Sequence, residues 1–146
     1  MTLTPSQTIG PFFHGGTQWM MRADPPPEGW IAVQGTILDA DDKPVNDALL
    51  EFNLDGNQDW RFQRVASDDD GHFTFHLPAG GFAHVTIFAR GLLRHLFTRV
   101  YHRSEDVPKL VPADRRDTLV TRVTREGLDW TVHLSGEAET VFFELG

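Results

Sequence analysis

From Trp30 onward the chain is cut by turn signals roughly every ten residues, and between them lie short runs rich in β-formers. Ile31–Leu38, Ala48–Leu54, Trp60–Val65, His72–Leu77, His84–Ala89, Leu96–Tyr101, Thr118–Val123, Leu128–Leu134 and Thr140–Leu145 are the expected strands. The punctuation is Asp41-Asp42-Lys43-Pro44, Asp55-Gly56, Ser67-Asp68-Asp69-Asp70-Gly71, Pro78-Ala79-Gly80-Gly81 and Arg90-Gly91. Several runs alternate with period two, which is how a strand with one buried face reads. Phe73, Phe75 and Leu77 are expected inward, with His72, Thr74 and His76 outward, and Leu50, Phe52 and Leu54 share a face. One helical turn is expected at Pro112–Arg116, where proline suits an early helical position. Short strands at this spacing predict an all-β, antiparallel β-sandwich.

Residues 1–30 follow another rule. Pro5, Pro11, Pro25, Pro26 and Pro27, with Gly10, Gly15, Gly16 and Gly29, predict an extended arm rather than a helix. Ile9, Phe12, Phe13, Trp19, Met20 and Met21 make that arm too apolar for a free tail. It is expected either to cover this domain's own sheet or to pack on another chain. The division is thus an arm over 1–30 and one sandwich domain over 31–146.

Eleven Phe and four Trp in 146 residues suffice for one core. A formal charge of −8 argues against nucleic-acid and anionic-membrane partners, which need a basic face. The absence of cysteine removes disulfides and thiolate chemistry, in keeping with a cytoplasmic location. Met1-Thr2-Leu3-Thr4-Pro5 has neither the basic nor the apolar region of a secretory signal.

Chemistry-bearing residues are few. Arg90, at the turn after His84–Ala89, is a permanent cation whose planar fork suits a carboxylate, although it could equally be a surface cation at a strand end. His72 and His76 share a strand face and His84 could approach them, a possible metal set, but surface histidines are common and nothing in the spacing singles these out. His14, His95, His102 and His133 read as loop or surface residues. No nucleophile elbow, phosphate loop or dinucleotide fingerprint is present.

Three stretches carry a resemblance: Thr4-Pro5-Ser6-Gln7-Thr8-Ile9-Gly10-Pro11-Phe12; Phe88-Ala89-Arg90-Gly91 continuing to Phe97-Thr98-Arg99-Val100-Tyr101; and Pro112–Leu119 with Gly136–Phe143. Together they resemble the intradiol ring-cleavage dioxygenases, and among these the alpha chains of members built from alpha and beta chains. The resemblance covers nearly the whole chain, with deletions around 20–30 and 78–82. It implies a transthyretin-like antiparallel sandwich, and a homologous beta chain as partner in a hetero-oligomer of alpha–beta units. That beta chain would hold Fe(III) with two tyrosines and two histidines. The implied reaction is O2-dependent cleavage of a small aromatic carboxylate, 3,4-dihydroxybenzoate, to 3-carboxy-cis,cis-muconate. The implied pocket-lining residues of this chain are Thr8, Gly10, Pro11 and Arg90.

The tyrosine count bears on this directly. Tyr101 is the sole tyrosine, so this chain cannot supply two tyrosinate ligands. Matched to the family's ligand positions, the chain resembles it with Trp60 at the first tyrosine, the short Pro78–Gly81 loop at the second, and Phe82 and His84 at the histidines. No iron is expected in the chain itself. The alternatives are a stand-alone, non-catalytic sandwich that diverged from the family as a binding or structural module, or a reorganised metal site on His72, His76 or His84. Arg99, Arg115 and Arg116 are expected in inter-strand or inter-chain ion pairs.

Overall fold

The computed structural model describes residues 25–54 and 60–144. Thr8, Gly10, Pro11, most of the arm and the Asp55-Gly56 turn lie outside the described residues. Among the described residues, eight strands form two four-stranded sheets, which is the expected sandwich. The strands are β1 (Trp30–Leu38), β2 (Leu49–Asn53), β3 (Phe62–Ala66), β4 (His72–Pro78), β5 (Phe82–Phe88), β6 (Leu96–Tyr101), β7 (Arg122–Thr124) and β8 (Gly127–His133). One sheet has the order β4-β1-β8-β7 and the other β3-β2-β5-β6.

Alternation decides which side chains meet between the sheets. Val33 and Ile37 of β1, Phe73, Phe75 and Leu77 of β4, and Leu128, Trp130 and Val132 of β8 face Leu50, Phe52, Val85 and Ile87 across the core. Phe52 and Phe75 stack across it with centroids 4.1 Å apart and planes 12° apart. Trp130 meets Phe75 edge-on at 5.9 Å and hands its Nε1–H to the Thr118 carbonyl at 3.0 Å, so its one polar atom is satisfied in the core.

At one corner the sheets are joined by a side chain. The amide of Gln63, on β3, donates to the His76 carbonyl and accepts from the His76 N–H, both at 2.8 Å. It thereby takes the place of a neighbouring strand on the edge of β4, which strand pairing would otherwise leave open. A smaller cluster of Tyr101, Val107, Val111 and Leu119 forms where the segment after β6 folds back over the sheet end.

Three expectations are corrected. The β1–β8 pairing is parallel rather than antiparallel, with the whole stretch 39–126 lying between the two strands in the chain. Thr118–Val123 is not one strand: a 3-10 helix runs over Ala113–Leu119, Val120 makes a single bridge to Tyr101, and a strand begins only at Arg122. Thr140–Glu144 forms no strand, though it runs beside β6 with Phe143 N–H donating to the Phe97 carbonyl at 2.8 Å.

Candidate functional site

Arg90 follows Ala89, a fully buried residue at the end of β5, and is turned outward where Leu92 N–H closes on the Ala89 carbonyl at 3.2 Å. Gly91 takes the left-handed conformation (φ 85°) that completes the turn. The turn-borne arginine expected from sequence is therefore present, but it is not a solitary cation. Its Nη2–H donates to the Asp47 carboxylate. The pairing of Leu49 with Phe88 sets this contact up, because Asp47 lies two residues before one and Arg90 two residues after the other. Nearly half of the Arg90 side chain, 49%, stays open to solvent. Asp47 carries no sequence signal of its own; only the β2–β5 register reveals it.

The positions matched to metal ligands lie on the β3-β2-β5-β6 sheet or beside it. His84 points outward, flanked in register by Asn53 and Arg99. Phe82 touches the His84 ring at 5.3 Å and stacks on Tyr101 at 5.2 Å, planes 16° apart. Tyr101 is 3% exposed and its hydroxyl accepts a long 3.4 Å bond from Arg99 Nη1. Trp60 is buried against Trp30 and His76, edge-to-face at 6.0 and 5.6 Å.

Indole and phenyl rings have no lone pair for a metal, the one phenol is stacked away in a cluster, and the strand neighbour of His84 is a guanidinium. A fixed cation there opposes a second positive centre. This donor set does not fit a ferric ion held by two tyrosinates and two histidines.

The histidine alternative also fails on placement. His72 and His76 belong to β4 in one sheet and His84 to β5 in the other, so they do not share a face. Among the described residues, the one group of three metal-capable side chains is Asp68, Asp70 and His72, all exposed. There Asp68 Oδ1 already accepts the N–H groups of Asp70 and His72 at 2.9 Å, the bonds of an ordinary turn. His76 is partly buried, and burial holds its pKa below the usual histidine value.

Several other histidines and arginines among the described residues have structural partners. His102 Nδ1 accepts the Gly80 N–H at 2.7 Å and ties down the Pro78–Gly81 turn, and His95 packs against Phe88 and Phe97. His133 approaches Asp42 at 3.5 Å. Among the described residues, no inter-strand ion pair is found for Arg99, Arg115 or Arg116. Arg99 lies over the Phe143 ring at 5.1 Å. Arg115 donates to the Glu139 carbonyl, and Arg116 to the carbonyls of Val111 and Lys109.

Comparison with known proteins fits this geometry. The chain is 31% identical to a protocatechuate 3,4-dioxygenase alpha chain from Burkholderia cepacia, over 97% of each chain. Among solved structures, an intradiol ring-cleavage dioxygenase from Tetranychus urticae matches with a TM-score of 0.54, at 10% identity, over 83% of this chain and 89% of that one. The chain belongs to the intradiol ring-cleavage dioxygenase family. Within it, a protocatechuate 3,4-dioxygenase alpha chain from Pseudomonas putida is 28% identical over 97% of this chain and 96% of its own. The alignment to the Burkholderia chain runs over 191 positions, more than this chain's 146 residues, so the dioxygenase relative carries stretches that this chain lacks. No family model matches the chain. No helix among the described residues is long and apolar enough to cross a membrane.

Proposed function

We propose that this chain is the alpha, non-iron-binding subunit of a protocatechuate 3,4-dioxygenase. It would pair with a homologous beta chain that holds Fe(III) and help enclose the pocket in which O2 cleaves 3,4-dihydroxybenzoate to 3-carboxy-cis,cis-muconate. The observation that carries this reading is the mismatch at the family's ligand positions. Trp60 and Phe82 cannot ligate, Tyr101 is stacked and buried, and Arg99 stands beside His84. A chain so built can contribute to such chemistry by orienting and enclosing a substrate.

Arg90 supplies the orientation: a partly open guanidinium offers a ring carboxylate a charge-assisted, directional contact. Thr8, Gly10 and Pro11 of the arm would line the same pocket, with the arm over 1–30 packed on the beta chain. Glycine and proline there allow close backbone approach at a fixed φ.

The test is co-purification with the cognate beta chain, followed by steady-state kinetics. An iron-loaded, ring-cleaving complex is expected. In it Arg90→Ala should raise KM for 3,4-dihydroxybenzoate by roughly 10- to 100-fold, the worth of a hydrogen bond to a charged group, and leave KM for catechol nearly unchanged. A chain that ignores the beta chain and purifies as a stable homodimer would instead support a diverged stand-alone module, the reading favoured by the stretches absent relative to the alpha-chain homologues.

A further inference from the structure

Asp47 is held more firmly than a surface acid needs to be. Its backbone is left-handed at φ 55°, a conformation that Asp tolerates better than most residues. Ser67, 2% exposed, fixes the whole approach. Its carbonyl accepts the Asp47 N–H at 3.2 Å and its N–H donates to the Ala48 carbonyl at 2.9 Å. The Ser67 hydroxyl accepts the Ala48 N–H at 2.9 Å and donates to the Val45 carbonyl at 2.7 Å. Four hydrogen bonds centred on Ser67 thus hold the backbone of the Val45–Ala48 segment from which the Asp47 carboxylate meets Arg90.

Arginine is a long side chain with about 2 kcal/mol of rotamer freedom to lose on ordering. Held by one Nη to a carboxylate carried on a fixed backbone, it loses part of that freedom while almost half of it remains exposed. The same carboxylate offsets the positive charge, so a passing anion gains little from attraction alone. A ligand must present its own carboxylate in the geometry the guanidinium still offers.

We propose that Asp47 is a positioning residue that sets the preference for a carboxylated ring, by fixing the orientation of Arg90. This rests on the reading of Arg90 given under Proposed function.

The experiment compares wild type, Asp47→Gly, Asp47→Asn and Arg90→Ala in the complex with the beta chain, using 3,4-dihydroxybenzoate and catechol as substrates. Glycine and asparagine both accept φ near 55°, so the loop is kept. Asp47→Gly should lower the ratio of kcat/KM for the carboxylated over the plain substrate by about 10-fold. The loss should lie in KM for 3,4-dihydroxybenzoate, with kcat held. Asp47→Asn, which keeps a neutral acceptor of roughly half the strength, should fall between. A ratio that is unchanged or higher in Asp47→Gly overturns the inference, because Asp47 is then a bystander or a competitor. If that variant does not assemble, Asp47→Asn alone must lower the ratio by at least about three-fold, and an unchanged ratio overturns the inference. Arg90→Ala separates the two claims. If it leaves the ratio intact, the parent reading of Arg90 fails; if it collapses the ratio while the Asp47 variants do not, only the inference about Asp47 fails.

Discussion

Gln63→Leu tests whether one side chain holds the two sheets together at the β3–β4 corner. Leucine is close to glutamine in volume and would fill the same space, so the perturbation falls on hydrogen bonding rather than on packing. Two bonds of 2.8 Å disappear, and the His76 N–H and carbonyl lose the partner that the Gln63 amide supplied. Gln63 is 3% exposed, so water cannot simply take its place. Leaving a buried donor or acceptor unpaired costs about 1–3 kcal/mol per group. Two groups give about 2–6 kcal/mol, with the lower half expected because the two groups sit on a sheet edge. At about 3 °C per kcal/mol for a chain of this length, the melting temperature should fall by roughly 6–12 °C. Urea unfolding followed by far-UV circular dichroism measures the loss directly, with an unchanged m value showing that the denatured state is unaltered. Gln63→Glu is the control. It keeps an acceptor for the N–H but, when ionised, sets a carboxylate against the His76 carbonyl. Its deficit relative to wild type should therefore shrink as pH falls toward the carboxyl's own titration and the donor returns. A loss below about 0.5 kcal/mol in Gln63→Leu would refute the claim that this amide closes the sandwich.

Three further outcomes follow from single contacts. Gly35→Ala would drive a methyl group into the Phe73 ring, directly across the β1–β4 pair, so overpacking should cost about 1–3 kcal/mol in the same urea assay. Because burial lowers the His76 pKa in the folded chain, the unfolded chain takes up its proton first. Stability from this group is complete above the ordinary value of 6.5 and is lost as pH falls through the lower folded value. The urea midpoint should thus drop between pH 7 and pH 5, and His76→Gln should lessen the drop. Metal analysis of the isolated chain refolded with ferric or ferrous iron should return far less than one iron per chain, and a stoichiometric ferric centre would refute the reading of the ligand positions.

Where a residue's neighbours along the chain decide its role, the sequence was legible. Phe73, Phe75 and Leu77 fall inward, and His72 and Thr74 outward, because a strand's side chains alternate and nothing nearby competes. Strand ends moved by a residue or two, as at Phe62–Ala66. The failures trace to hydrogen-bond partners outside the segment's own pattern, some of them far away in sequence. Thr118-Leu119-Val120-Thr121 reads as a strand by its β-branched residues. The fold instead uses the Thr118 hydroxyl to bond the Arg115 carbonyl at 2.8 Å, the Val141 N–H to bond that hydroxyl at 3.2 Å, and the Thr118 carbonyl to receive Trp130. Those bonds favour a 3-10 turn over an extended ladder. Thr140 is taken up by His133, whose N–H donates to its hydroxyl and whose carbonyl accepts its N–H, which leaves the following residues only a single backbone bond to β6. The parallel β1–β8 pair was invisible because turn signals report only neighbours along the chain. Arg90 could be picked out as a turn cation; Asp47, its partner 43 residues earlier, could not.

The same distinction bears on how the residues at the family's ligand positions can change while the architecture is kept. Phe82 and His84 project from the outer face of β5, while Ala83, Val85 and Ile87 between and beyond them build the core. A ligand on that face can be exchanged for an apolar ring without opening a cavity between the sheets. Here the ring at 82 stacks on Tyr101, and such a pair contributes about 0.5–1.5 kcal/mol beyond its burial. Chemistry on the outer face is thus separable from folding in the inner one. The Arg90–Asp47 pair lies at the junction of the two, anchored through Ala89 and Ser67 to buried structure while its open edge faces solvent. A residue so placed keeps its orientation through wide change in the surrounding surface. On the function proposed above, that makes it the natural place for this chain to contribute to a site completed by a beta chain.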